Sequence, residues 1–148
     1  MKKTSKRRVL ASVVHCQTLY AAPAWHTAIT SQNRLAKLRR IQRALCIRVC
    51  SAYRTISGEG AGVIAGIPPI VLLMQKRYEV YNGSTKNETR AQLMEILQEK
   101  WTGGRHGRWT FTLIPKLLKW ITRSYDEVDY YITQILSGHV AGESFFSW

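Results

Sequence analysis

Residues 34–50 read RLAKLRRIQRALCIRVC, and this stretch decides the fold. Leu35, Leu38, Ile41, Leu45 and Val49 recur at steps of three and four, which lines them up on one face of an α-helix. Lys37, Arg39, Arg40, Arg43 and Arg48 fall mostly on the other faces. Ser31 stands where an N-cap belongs. Any amphipathic surface helix buries one face and solvates the other, but its solvated face normally mixes charges. Here five bases have no acid three or four residues away to neutralise them. The pattern favours a helix laid along an anionic backbone, apolar side on a core and arginines towards phosphate.

The imbalance extends outward from that helix. Residues 1–58 hold twelve Lys or Arg and no Asp or Glu, and Glu59 is the first acid of the 148-residue chain. The remaining ninety residues carry ten bases against nine acids, so nearly all of the net charge of +13 sits in the first part. An acid-free stretch this long repels itself unless it meets an anion. Phosphate of RNA or DNA is the commonest such partner, ahead of an anionic membrane or a merely solvated surface. Hydrophobic residues make up 45% and charged residues 21%, as in a folded chain of about one domain.

Turn and cap signals divide the rest into helices. The run MKKTSKRR (1–8) reads as a flexible basic arm, similar to short nuclear-import signals. A helical stretch follows over 9–29 and is interrupted at Pro23, which should end its first helix near Ala22. In TISGEGAGVIAG (55–66), Gly66 is a natural helix stop, and Pro68 and Pro69 a natural restart. Val71, Met74, Tyr78 and Tyr81 then share a stripe. Thr85 and Glu88 spell a capping box ahead of a helix with Ala91, Met94, Leu97 and Trp101 on its apolar face. Pro115 opens a short helix within the aromatic run 109–120. Ser124 and Glu127 spell a second capping box; Asp126, Glu127 and Asp129 suit its dipole, and Val128, Tyr131, Ile132, Ile135 and Leu136 form its expected core stripe. Without any alternating strand pattern, the class is all-α, about six helices in an irregular bundle.

Chemistry is sparse. Two-metal polymerases and nucleases need clustered carboxylates, and the close set Asp126, Glu127 and Asp129 is better explained as helix N-terminal acids. His15, His26, His106 and His139 are scattered without ligand spacing. Cys16, Cys46 and Cys50 show no extracellular disulfide logic, and the four-residue step from Cys46 to Cys50 fits small buried residues better than a metal pair. No catalytic residue, metal or cofactor is expected. The apolar run 60–74 is short and broken by its two prolines, so it reads as a buried corner rather than a span. No signal-peptide pattern appears, and the composition points to the nucleus or cytoplasm.

Six segments occur in series: LYAAPAW (19–25), LRRIQR (38–43), SAYRTIS (51–57), AGIPPI (65–70), GRWT (107–110) and YYITQILSGH (130–139). In order and spacing the chain resembles the C-terminal portion of reverse transcriptases from non-LTR retrotransposons (LINE-type, jockey and type-1 elements). The resemblance covers nearly everything after the basic arm. It implies a helical thumb, which grips the template–primer duplex, and a segment leading towards a Cys/His zinc knuckle. Arg39, Arg40 and Arg43 match the family's basic helix, and Tyr53, Arg54 and Thr55 its following turn. The catalytic palm and the endonuclease would lie upstream of Met1, which implies a truncated piece without polymerase activity. Gly58, Gly60 and Gly62 stand where the family tends to have Ala or Leu; each costs roughly 1 kcal/mol relative to Ala, which leaves this local helix weak and points to drift.

The expected organisation is a basic arm (1–8), a thumb-like basic region (9–82) and a post-thumb region (83–148). The expected function is RNA or DNA binding through phosphate contacts from Arg34, Lys37, Arg39, Arg40, Arg43, Arg48 and Arg54, with no membrane partner. The alternative is a helical protein-interaction module docking through exposed apolar surface, or a non-functional remnant of a dead element.

Overall fold

A single amphipathic helix is marginal in water, so the stripe on residues 34–50 needs other apolar faces to pack against. The computed structural model describes residues 3–20, 22–25, 31–123 and 128–139, with backbone alone at residues 3–5 and 25. Among the described residues there is no strand, and nine helical segments follow one another. They are α1 (Lys3–Tyr20), α2 (Ala22–Trp25), α3 (Gln32–Cys50), α4 (Gly58–Ala65) and α5 (Ile70–Tyr81), then α6 (Lys86–Gly103), α7 (Arg108–Leu113), α8 (Leu117–Ile121) and α9 (Tyr130–Ser137). The all-α expectation is met, and the short α2, α7 and α8 account for the excess over six.

Three apolar clusters hold these helices together. Cys46, Val49 and Cys50 of α3 pack with Ala61, Ile64 and Ala65 of α4, with Ala11 of α1 and with Val128. The front half of α3 places Leu35 and Leu38 against Leu19, Ala22, Ile70 and Met74. The third cluster joins Leu93, Leu97 and Trp101 of α6 to Leu117 of α8, and Leu73 of α5 packs on both it and the second. Packing therefore continues across the expected boundary between residues 82 and 83.

The buried face of α3 is turned relative to the expected one. Ile41 is 54% exposed, and Gln42 is buried in its place. Gln42 Nε2 donates to the Pro68 carbonyl (2.6 Å) and its Oε1 accepts from the Ile70 N–H (2.7 Å). A paired buried amide is affordable in a core, whereas the two main-chain groups would be costly there without it. Ile41, one residue earlier and about 100° round the helix, is carried out to solvent.

Residues 6–8 also depart from expectation, since the basic run belongs to α1 instead of standing apart as an arm. Arg7 Nη1 donates to the Arg48 carbonyl (3.3 Å) and to Ser51 Oγ. It thereby serves the open C-terminal end of α3, where a cation also suits the helix dipole. Pro23 lies within the short α2, Ala22–Trp25.

The glycine-rich helix α4 forms in full over residues 58–65, where its glycines had pointed to a weak helix. Ser57 caps it by accepting from Gly60 N, and Gly66 ends it at φ 69°, a left-handed position that glycine takes without strain. A Cβ on Gly60 would lie 2.9 Å from Ser57 Oγ and 3.4 Å from Thr110 Oγ1, so absence of a side chain is what lets α7 approach. Close packing replaces the lost propensity. Helices α4 and α5 meet at a 61° bend; among the described residues no single helix is long and apolar enough to cross a membrane.

Thr85 caps α6 by accepting from Glu88 N, as its sequence foretold, but Leu93 is buried and Ala91 exposed on that helix. The expected capping box at 124–127 lies outside the described residues. Helix α9 starts later, with Asp129 as N-cap accepting from Ile132 N at 2.8 Å. Its expected core stripe is corrected: Thr133 and Gln134 are buried, while Tyr131, Ile132 and Ile135 face outward. Polar anchors fix that rotation. Gln134 Nε2 donates to the Ser51 carbonyl (3.2 Å), Trp109 Nε1 to the Ile135 carbonyl (2.9 Å) and Thr110 Oγ1 to the Leu136 carbonyl (2.9 Å).

Candidate nucleic-acid interface

Nineteen residues make α3 about 28 Å long, enough to follow several phosphates of a duplex strand. Arg34, Lys37, Ile41, Ala44 and Arg48 succeed each other at steps of three and four on its exposed side, with Arg40 alongside. Arg39 is exposed too, but at helical spacing it shares the line of Leu35, Gln42 and Cys46, on the far side of α3 from that row. Arg54 is exposed in the turn that follows α3. Six of the seven expected cations are thus solvent-facing on one helix and its adjoining turn.

Arg43 is the seventh, and it is placed differently. Its side chain is half-buried, and Nη2 donates to the carbonyls of Arg54 and Ile56, the latter at 2.7 Å. Its charge is spent holding residues 54–56 against the helix that precedes them. A forked guanidinium suits that task, since it reaches two acceptors from one rigid plane.

The sequence reading missed cations that gather at the C-terminal end of α3. Arg7 bonds there directly, and Arg8 is near enough for its charge to act on both Cys46 and Cys50. Burial, and after it the charge of Arg8, lowers the Arg123 pKa from its ordinary value. Arg123 lies 3.7 Å over the Trp120 ring, a cation–π contact. The inward face of α1 runs through Arg8, Ala11, His15 and Leu19, a helical spacing too weakly apolar to stand out in the sequence.

The two thiols on α3 belong to the core. Burial pushes Cys46 up to about 12 and Cys50 up to about 11, so both stay protonated and unreactive near neutrality. Among the described residues no group of three or more His, Cys, Asp or Glu is placed to hold a metal ion. The open depression bordered by Glu95, Gln98, Glu99, Thr102 and Gly103 carries two carboxylates, which disfavour phosphate.

A group of rings occupies the junction between the turn after α3 and helix α9. The hydroxyls of Tyr53 and Tyr130 are 2.7 Å apart, and their rings meet edge to face with centroids at 6.3 Å. That hydrogen bond raises the Tyr130 pKa from its ordinary value. His139 meets the Tyr53 ring at 5.6 Å, while its Nε2 lies 2.6 Å from Thr55 Oγ1. Tyr131 meets Tyr130 at 5.6 Å.

With that geometry in hand, the chain is similar to the retrovirus-related Pol polyprotein from type-1 retrotransposable element R1 2 of Nasonia vitripennis. The two are 28% identical over 166 aligned positions, which take in 94% of this chain and 40% of the relative. The chain therefore spans well under half of that protein's length. No family model matches the chain, and no solved structure matches it either. The similarity supports an origin in a non-LTR retrotransposon.

Proposed function

We propose that this chain is the thumb-like part of a retrotransposon reverse transcriptase, which grips an RNA–DNA template–primer duplex by its phosphates and has no catalytic role of its own. The observation that carries the reading is the exposed row on α3, with Arg34, Lys37, Arg40 and Arg48 inside a 58-residue stretch without a single acid. Arg54 carries the basic surface on into the turn after α3, whereas Arg39 stands on the other side of the helix from this row. Such contacts read charge and backbone spacing rather than base sequence, so affinity falls steeply with salt. The test is binding of purified protein to an RNA–DNA hybrid as salt is raised. Tight binding at low salt that weakens linearly on a log–log scale is expected, and absence of binding at low salt would sink the reading.

One observation favours a second reading, a protein-docking module. Leu10, Val13 and Tyr20 share an outward row on α1 and are largely exposed. Nucleic-acid-free protein that self-associates on a sizing column would support it, and monodisperse protein would argue against it.

A further inference from the structure

We propose that Tyr53, Tyr130 and Tyr131 form a stacking platform for an unpaired nucleobase at the end of the bound duplex. The inference rests on the duplex-binding reading above and names a ligand for a part of the surface which that reading leaves unused. Tyr131 is 76% exposed, and Tyr53 and Tyr130 are each almost half exposed. Edge-to-face contacts join the three rings in sequence, and each such contact covers one face of one ring and leaves that ring's opposite face to a further planar group.

The platform is held in place before any ligand arrives. Arg43 fixes the carbonyls of Arg54 and Ile56, and Ile56 N donates back to the Tyr53 carbonyl (3.2 Å). Asp129 caps the first turn of α9, which carries Tyr130 and Tyr131, and Gln134 ties that helix to Ser51. Thr55 and His139 close the other side. Rings positioned in this way lose little freedom on binding.

Charge selects the ligand. Arg54 follows Tyr53 directly, and Arg7 is held at the end of α3 by the Arg48 carbonyl and Ser51 Oγ. Among the described residues the acid at this corner is Asp129, whose Oδ1 is engaged with the Ile132 N–H at a helix N-terminus. A backbone followed along α3 from Arg34 to Arg48 runs on towards residues 51–55. Bases inside a duplex are already stacked and cannot reach a protein ring, whereas an unpaired base can. A purely structural role, locking the turn to α9, accounts for Tyr53 and Tyr130. It leaves the outward Tyr131 unexplained.

The test uses the full chain and two fluorescent probes, a blunt RNA–DNA duplex and the same duplex with a short single-stranded overhang. The overhang should bind about tenfold more tightly. Tyr131→Ala should abolish most of that preference while leaving blunt-duplex affinity unchanged. Tyr131→Trp and Tyr53→Phe, which keep the ring faces, should retain the preference. Equal affinity of the wild-type chain for both probes overturns the stacking proposal and leaves duplex gripping intact. A Tyr131→Ala protein with an undiminished preference overturns it as well. Failure to bind either probe at low salt removes the duplex reading and this inference together.

Discussion

Gly60 and the two buried cysteines show how much one position can carry. A methyl group at Gly60 would press on Ser57 Oγ, the atom that caps α4 through the Gly60 N–H, and on Thr110 of α7. Relieving the clash means giving up either the cap or the approach of α7. Gly60→Ala should therefore cost about 1–2 kcal/mol, seen as a lower melting temperature by circular dichroism. Gly103→Ala, where nothing lies within 4 Å of the new atom, should leave that temperature unchanged or slightly raised. The thiols allow a prediction on pH. Their folded values, about 12 and 11, lie above the ordinary 9 of a free thiol. The stability gained by keeping them neutral is fully present below pH 9 and is lost as pH rises through the window up to 11–12. At pH 8 a disulfide exchange reagent should quickly label the exposed Cys16 and reach Cys46 and Cys50 only after denaturant is added.

At the scale of elements, two glutamines repeat one device. Gln42 bridges the Pro68 carbonyl and the Ile70 N–H at the start of α5, and Gln98 bridges the Pro115 carbonyl and the Leu117 N–H at the start of α8. Each amide joins a long helix to the first turn of a helix that follows a proline. Gln42 is buried and Gln98 is not, so water can replace one and not the other. Gln42→Leu should cost about 2–4 kcal/mol because two buried main-chain groups lose their partner, and Gln98→Leu about 1 kcal/mol; chemical denaturation of the two variants measures both. The same residues mark the limit of what the sequence discloses. Helices α3, α5 and α6 were legible because apolar residues recur at helical spacing, and the stop at Gly66 and the start at Thr85 because their geometry is local. The rotation of α3 and α9 was not, because Gln42 and Gln134 are polar residues whose partners lie far along the chain, and the neighbouring polar Thr133 is buried as well. Arg43 was legible as a base of the candidate site, but its two acceptors exist only once the turn folds back. Tyr131 escaped notice as a surface ring for a related reason: it sits in an apolar run that spacing alone assigns to the core.

For the whole molecule, charge asymmetry separates positions that hold the fold from positions that meet the ligand. Lys37, Arg40 and Arg48 have solvent-facing side chains, so removing them should cost little stability and, by easing mutual repulsion, can slightly raise it. Each phosphate contact contributes about 0.9 to the slope of log affinity against log salt for a duplex, so the triple variant Lys37→Ala, Arg40→Ala, Arg48→Ala should lower that slope by about 2–3. Arg43→Ala should behave in the opposite way. Losing two charge-assisted bonds to main-chain carbonyls should lower the melting temperature by the equivalent of about 2–3 kcal/mol, while the salt slope hardly changes. Arg43→Lys should not restore it, because a single ammonium on a flexible stem does not reproduce the fork. Titrating both variants on one RNA–DNA hybrid, with melting curves in the same buffers, separates the two effects. If the triple variant keeps the wild-type slope, the phosphates are met elsewhere and the row on α3 is only a solvated face. If Arg43→Ala alone flattens the slope with its melting curve intact, the arginine that clamps the turn in the free protein leaves it to bind. The predicted pattern is the one that follows from where each guanidinium already has partners.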